Sequence, residues 1–150
     1  MKKSVYAGFP AVDLRTTLLD GSFHEVDSSD IAFRLAAMGC FRETFPKGSP
    51  ILIEPYMSIE LLTPEEYVSS LVGYICSKRG KILNIDSKTN QKLITSQAPL
   101  SEMFGYSQIF RSLSSGRATF SMEFSHYEAV PAEIAEKIVA GKRKEKRAEK

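Results

Sequence analysis

The hydrophobic and polar positions at the start of the chain alternate in a way that predicts strands. Between residues 10 and 19, Val12, Leu14 and Leu18 fall on one face, and mainly charged or hydroxyl side chains fall on the other. A period of two residues is typical of a half-buried strand. Asp20-Gly21 then supplies the chemistry of a tight turn, and residues 23–26 predict a short second strand.

A helix is predicted after these strands. Asp27 or Ser28 can cap its free N–H groups, Asp30 lies in the first turn, and the pattern continues to about Phe45, before Pro46-Lys47-Gly48. The residues expected to face a core are Ile31, Leu35, Met38 and Phe45. Two strands and one helix cannot cover their own apolar faces. We therefore expect residues 10–50 to lean on a second domain or to be one part of a larger one.

The middle of the chain has a different order of elements, which indicates an α+β fold. Strands are predicted at residues 50–62, 81–87, 91–98 and 117–125, with helices after the first and third of them. The first helix opens at a capping box, Thr63-Pro64-Glu65-Glu66, and ends at Arg79-Gly80; the second covers residues 100–114. This split β-α-β plan predicts a ferredoxin-like domain with a four-stranded antiparallel sheet and two helices on one face.

A last helix is predicted from Pro131 to about Ala140, followed by a basic tail. The chain has 20 basic and 18 acidic side chains, but residues 141–150 hold six of the basic and two of the acidic ones. The remaining body therefore has a net charge of −2, so any contact with RNA must be local. The cations of the tail can touch phosphates, but a terminal run of charges is usually solvated and frayed.

The two cysteines and the apolar runs indicate the cellular compartment of the protein. Cys40 and Cys76 are far apart, lie on predicted helices and belong to no CxxC pair, so we expect reduced thiols packed on helices and no metal site. No apolar run approaches the ~20 residues that span a bilayer, and no secretory leader follows Met1-Lys2-Lys3. These features favour a cytoplasmic protein without a membrane partner.

The candidate catalytic residues do not form a site. The chain has no GxxxxGK[ST] motif for phosphates and no GxSxG motif, and His24 and His126 lie on different predicted domains. We therefore expect no enzymatic activity in this chain. His24 follows the turn between polar neighbours, where a histidine can hydrogen-bond or stack on a nucleotide, or can be a solvent-exposed loop residue without a specific role.

Three stretches of sequence resemble the elongation factor G family of translational GTPases. The first is residues 20–30, DGSFHEVDSSD; the second is residues 50–57, PILIEPYM, with 63–67, TPEEY; the third is residues 99–106, PLSEMFGY, with 116–120, GRATF. The resemblance implies that residues 1–50 are the C-terminal part of an incomplete domain IV. It further implies that residues 51–128 are domain V, and residues 129–150 a C-terminal helix with a basic tail.

The family resemblance implies a role in moving tRNA and messenger through the ribosome. In that family the tip of the fourth domain enters the decoding centre, and the matching tip residues here are Asp20, Gly21, Ser22, Phe23 and His24. The fifth domain contacts large-subunit rRNA near the sarcin-ricin loop and the stalk base. The resemblance thereby offers Lys78, Arg79, Ser101 and Arg117 as rRNA contacts.

The same resemblance implies the partners and the cofactors. We expect a monomer whose partners are the ribosome with its rRNA and stalk-base proteins, tRNA and mRNA, in the cytoplasm or an organellar matrix. No cofactor is expected in this chain, because GTP and Mg²⁺ would belong to a GTPase domain that it lacks. The alternative is a free-standing ferredoxin-like interaction module that binds a protein or a small ligand.

Overall fold

The computed structural model describes residues 8–148, with side chains described as far as Lys142. The chain divides into a sheet unit, Ile53–Val130, and a helical unit, Met1–Leu52 with Pro131–Lys150. Within the described residues, no helix combines the length and the apolar character needed to cross a membrane.

The sheet unit has the predicted ferredoxin-like plan. Its strands are β1 Ile53–Thr63, β2 Lys81–Lys88, β3 Gln91–Pro99 and β4 Thr119–Ala129, in the spatial order β2-β3-β1-β4. Every neighbouring pair is antiparallel. Helix α2, Val68–Ser77, connects β1 to β2, and helix α3, Tyr106–Leu113, connects β3 to β4. The predicted α+β fold class is therefore confirmed.

The core of the sheet unit lies between the sheet and its helices. Leu71 and Ile75 of α2 and Phe110 of α3 are fully buried. They pack in one cluster with the inward side chains of the sheet, Ile59, Leu61, Ile94 and Ala98. The ring of Phe110 meets the rings of Tyr74, Tyr106 and Phe120 edge-on, with centroids 5.5 to 5.6 Å apart. Edge-to-face contacts of this kind add to the hydrophobic burial of the rings.

Both predicted helices of the sheet unit begin differently in the structure. Thr63 is the last residue of β1 rather than a cap, and a 3-10 turn, Glu65–Tyr67, precedes α2. The Oγ1 atom of Thr63 is buried without a hydrogen-bond partner, so the predicted capping box is wrong. The predicted helix 100–114 is split into a 3-10 turn, Leu100–Glu102, and α3. Gly105 separates them, because its φ of 77° ends one segment and starts the next.

Strand β4 is longer than predicted and contains a bulge. Tyr56 pairs with His126 and Met57 with Phe124, so Ser125 is an extra residue in β4. The side chain of Phe124 is 56% exposed, although it pairs with Met57, which packs against the core. Its ring lies 5.3 Å from the ring of Tyr127. The bulge explains why these two rings meet, because one extra residue brings positions 124 and 127 to the same side of the strand.

The N-terminal part of the helical unit contains one long helix and no strand among its described residues. Helix α1, Asp30–Thr44, is capped by Ser29, whose Oγ accepts a hydrogen bond from the backbone of Ala32 at 3.2 Å. The expected caps, Asp27 and Ser28, are therefore wrong by one or two positions. A 3-10 turn, Phe45–Gly48, follows the helix.

The strands predicted at residues 10–19 and 23–26 are absent. No residue between 8 and 52 is buried, so the inward face predicted for α1 is also wrong. Ile31 and Leu35 are 71% and 61% exposed. The physical reason is that a strand needs a partner to hydrogen-bond, and no partner strand pairs with these residues in the described part of the chain.

Helix α4, Ala132–Ala148, begins directly after Pro131 as predicted, but it continues beyond Ala140. The expected fraying after Gly141 is therefore wrong. Lys, Arg and Glu have high helix propensity, so a run of them extends a helix that has already been nucleated. Cys40 and Cys76 are free thiols on α1 and α2, but both are exposed, so their predicted packing is wrong.

Candidate nucleic-acid interface

The loop of residues 20–24 lies fully on the surface of the helical unit. All five residues, from Asp20 to His24, are exposed, and the ring of Phe23 is 72% exposed. Asp20 Oδ1 accepts a hydrogen bond from the backbone N–H of Gly21 at 2.7 Å, a contact between neighbouring residues. The structure has its turn at residues 25–27 rather than at the predicted Asp20-Gly21. An exposed aromatic ring and an exposed imidazole offer stacking surfaces and hydrogen-bonding atoms to a nucleotide.

The backbone of this loop is tied to the start of α1. The N–H of His24 donates to Ser28 Oγ at 2.8 Å, and the N–H of Ser28 donates to the carbonyl of His24 at 3.0 Å. Ser29, the next residue, caps α1. His24 is therefore connected to the helix through two consecutive serines.

Three of the four predicted rRNA-contact residues meet at one end of the sheet unit. The guanidinium of Arg79 pairs with both carboxylate oxygens of Glu54, at 2.8 and 3.0 Å, and its Nε lies 3.3 Å from Glu102. Ser101 Oγ donates to Glu54 at 2.9 Å and accepts from Arg79 at 3.3 Å. Lys78 Nζ is 4.0 Å from Glu102. The hydrogen bond to Glu54 is the main reason that the pKa of Arg79 is raised.

The backbone at this site has a left-handed residue. Arg79, just after α2, has a φ of 57°, and Gly80 donates its N–H to the carbonyl of Ile75 at 2.9 Å. This is the bond that closes a Schellman motif, in which glycine usually takes the left-handed position. Glycine is required at position 80 instead, because a Cβ there would collide with Ile75 Cγ2 and would lie 2.6 Å from Ile75 O. Arg79 thus takes a left-handed conformation that residues with a Cβ disfavour, and its guanidinium forms the bidentate ion pair with Glu54.

Arg117 is not part of this cluster. Its guanidinium pairs with Glu66 at 3.1 Å, just beyond the end of β1, whereas Arg79 pairs with Glu54 near the start of β1. At about 3.3 Å per residue, the length of this strand separates the two arginines by roughly 30 Å. The side chain of Arg117 is 64% exposed, against 23% for Arg79. Of these two cations, Arg117 is therefore the more available to a phosphate.

A second charged cluster lies at the same end of the sheet as Arg79, and no motif or periodicity of the sequence points to it. Lys81 Nζ pairs with Glu128 at 2.8 Å and lies 5.5 Å from the centre of the Tyr56 ring. The ring of His126 stacks on Tyr56 at 5.6 Å, and its Nε2 is 3.6 Å from Glu128. Lys81 is on β2 and Glu128 on β4, the two outer strands of the sheet, so the pair forms across the intervening strands β3 and β1.

The electrostatics of this second cluster follow from its ion pair. The hydrogen bond between the two side chains raises the pKa of Lys81 and lowers the pKa of Glu128. Burial is the main cause of the raised pKa of Tyr56. The cations of both clusters are thus matched by carboxylates at close range. This end of the sheet unit is a zwitterionic surface rather than a basic one.

The described residues contain no group of three or more His, Cys, Asp or Glu side chains placed to hold a metal ion. His24 and His126 lie in different units. The features that remain for recognition are the exposed loop at residues 20–24 and exposed polar side chains of the sheet unit such as Arg117. Such features can bind a nucleic acid by shape, stacking and a few phosphate contacts.

Comparison with known proteins identifies the family. A family model described as elongation factor G, domain IV, matches residues 1–49, and one described as elongation factor G C-terminus matches residues 51–138. A crystal structure of a protein from Thermus thermophilus aligns with a TM-score of 0.83 and 34% sequence identity. The alignment covers 95% of this chain and 22% of that one, so this chain spans less than a quarter of its structural relative. The chain belongs to the elongation factor G family.

Proposed function

We propose that this chain is the C-terminal region of a ribosomal translocase that acts in the elongation step of protein synthesis. The observation that carries the proposal is the match of two successive elongation factor G models, to residues 1–49 and 51–138, in one chain. The proposed partners are the ribosome, through rRNA and stalk-base proteins, and the tRNA and mRNA bound to it. We infer that the chain works as a monomer in the cytoplasm.

The loop of residues 20–24 is proposed to contact tRNA at the decoding centre. Its exposure and its connection to α1 support this role, because a contact residue must project from the surface and be held in place. His24 supplies a ring nitrogen for a hydrogen bond and a face for stacking. The loop does not need a basic surface around it, since tRNA and mRNA already occupy the ribosome.

The large-subunit rRNA contact is proposed for polar residues on the surface of the sheet unit. Among the predicted contacts, Arg117 offers the most exposed cation. Lys78, 4.0 Å from Glu102, and Ser101, whose hydroxyl also bonds to Glu54, are the further candidates. Arg79 is the weakest of the four candidates for direct contact, because Glu54, Ser101 and Glu102 occupy its guanidinium. The GTP and Mg²⁺ of the family's reaction are assigned to no residue here, since the chain has no GxxxxGK[ST] motif.

Binding of the 150-residue chain to ribosomes tests the proposal. Pelleting assays between roughly 50 and 200 mM salt should show binding that weakens as salt rises, with a shallow slope because few phosphates are contacted. Arg117→Ala should reduce that slope by about one unit. The matched control is Arg42→Ala, an exposed arginine of α1 outside the proposed contacts. Absence of binding at the lowest salt, or equal effects of the two arginine variants, would contradict the proposal.

A further inference from the structure

We propose that Ser28 is a positioning residue for His24: it holds the backbone at the end of the loop of residues 20–24 in one conformation. The inference rests on the proposed function, because it assigns to Ser28 the task of presenting His24 to RNA. It concerns the backbone of the loop and does not require Ser28 itself to touch RNA.

The two residues are joined by a reciprocal pair of hydrogen bonds. The N–H of His24 donates to the Ser28 hydroxyl at 2.8 Å, and the N–H of Ser28 donates back to the His24 carbonyl at 3.0 Å. Together these bonds close the turn between positions 24 and 28 and satisfy both backbone groups of His24. A serine hydroxyl that bonds to a backbone N–H in this way stabilises turns and helix starts.

Packing does not hold this loop. Phe23 and Val26, on either side of His24, are 72% and 92% exposed. Ser28 is the one residue between positions 12 and 30 that is partly buried. In the described part of the chain, no other side chain bonds to the backbone of His24. The conformation of the turn therefore depends on the hydrogen bonds to Ser28, because packing contributes little to it.

The position of Ser28 also fixes where the loop points. It is followed directly by Ser29, which has an extended backbone with φ −144° and ψ 163° and caps α1 through the N–H of Ala32. The loop bond and the cap bond are thus made by adjacent residues. Ser28 connects His24 to the first turn of a 15-residue helix, so the orientation of the loop follows the helix.

Amide hydrogen exchange on the 150-residue chain tests the inference without any RNA. Ser28→Ala removes the acceptor, so the His24 amide should exchange roughly two- to tenfold faster, the loss expected for one exposed hydrogen bond. Ser28→Thr keeps a hydroxyl and should restore the original rate. Ser29→Ala is the matched control, because it should accelerate exchange at Ala32 and leave His24 unchanged. An unchanged His24 rate in Ser28→Ala overturns the positioning role.

Ribosome binding of the same variants separates the inference from the proposed function. If both hold, Ser28→Ala weakens binding, Ser28→Thr binds as the original chain does, and Ser28→Ala causes no further loss when His24 is already alanine. Faster exchange in Ser28→Ala combined with normal binding by both Ser28→Ala and His24→Ala would overturn the RNA contact of His24, and with it the functional task of Ser28.

Discussion

The sheet unit and the N-terminal part of the helical unit differ in how much of their apolar surface is buried. In the sheet unit, side chains from the strands and both helices form one buried cluster that includes Phe110, Leu71 and Ile59. In the helical unit, no residue between 8 and 52 is buried, although Ile31, Leu35 and Phe33 lie along α1. A hydrophobic pattern predicts which face an element would bury, but burial itself requires a second element to bury it against.

The largest expected difference comes from removing one phenylalanine from each unit. Phe110→Ala in α3 should lower the free energy of unfolding by about 3–5 kcal/mol, because loss of its fully buried ring leaves a cavity. Phe33→Ala in α1 should change it by less than about 0.5 kcal/mol, because that ring is 52% exposed. Urea unfolding followed by circular dichroism measures both. Equal losses in the two variants would contradict the comparison.

Ion pairs give a second contrast between the units. Glu54→Ala should lower the free energy of unfolding by about 2–3 kcal/mol, because it leaves the guanidinium of Arg79 without its main partner. The side chain of Arg79 is only 23% exposed, and its backbone is in a left-handed conformation. Glu43→Ala removes an exposed pair with Lys47 of similar length, 3.0 Å, and should cost at most about 0.5 kcal/mol. The same unfolding assay measures both. A loss in Glu43→Ala as large as that in Glu54→Ala would mean that the exposed pair is also structural.

Glycine substitutions should act in opposite directions in the two units. Gly80→Ala should destabilise by about 2 kcal/mol, because the new Cβ would collide with Ile75. Gly39→Ala in α1 meets nothing within 4 Å and should stabilise that helix by up to about 1 kcal/mol. Thermal unfolding of the sheet unit and the helical circular dichroism signal measure the two effects. Tolerance of alanine at position 80 would show that the α2–β2 turn can rearrange.

The smallest expected effect concerns a hydroxyl in the core of the sheet unit. Tyr74 Oη is buried without a hydrogen-bond partner, and burial is the main cause of its raised pKa. Tyr74→Phe should therefore stabilise the chain by up to about 1 kcal/mol, whereas Tyr127→Phe, at an exposed ring, should have no effect.

The raised pKa of Tyr74 predicts that the folded chain loses stability at high pH. A group whose pKa is higher in the folded state stabilises the fold fully below its ordinary pKa of 10.0, and this contribution is lost as the pH rises through the folded value. Tyr74→Phe should thus show a smaller loss of stability above that ordinary pKa than the original chain. Some loss remains, since the pKa of Tyr56 is also raised. Identical alkaline curves for the two chains would contradict burial of the Tyr74 hydroxyl.

The fold of the sheet unit was predictable because its local and tertiary signals agree. The strands found at Lys81–Lys88 and Gln91–Pro99 were expected at 81–87 and 91–98, and each has a partner in the sheet. The alternation at residues 10–19 led to a wrong strand, since no partner pairs with it in the described residues. The capping box at Thr63 failed for another reason, because β1 continues through that residue.

The sequence predicted those parts of the candidate site that are formed by consecutive residues, but not the contacts between separated residues. The family resemblance gives the loop of residues 20–24, and the structure places it on the surface. It does not give the bond from His24 to Ser28, nor the ion pair that joins Glu54 to Arg79, 25 positions along the chain. Such pairings depend on how the chain folds back on itself, which hydrophobic periodicity and local propensity do not encode.

Native-state hydrogen exchange of the 150-residue chain tests the central contrast most directly. The amides of β1 and β3 around Ile59 and Ile94 should exchange only through global unfolding of the sheet unit. The amides of α1 around Leu35 and Met38 should be protected by no more than about 1 kcal/mol, because a 15-residue helix without buried contacts is marginal in water. Protection of α1 equal to that of β1 would contradict the claim that only the sheet unit supports itself.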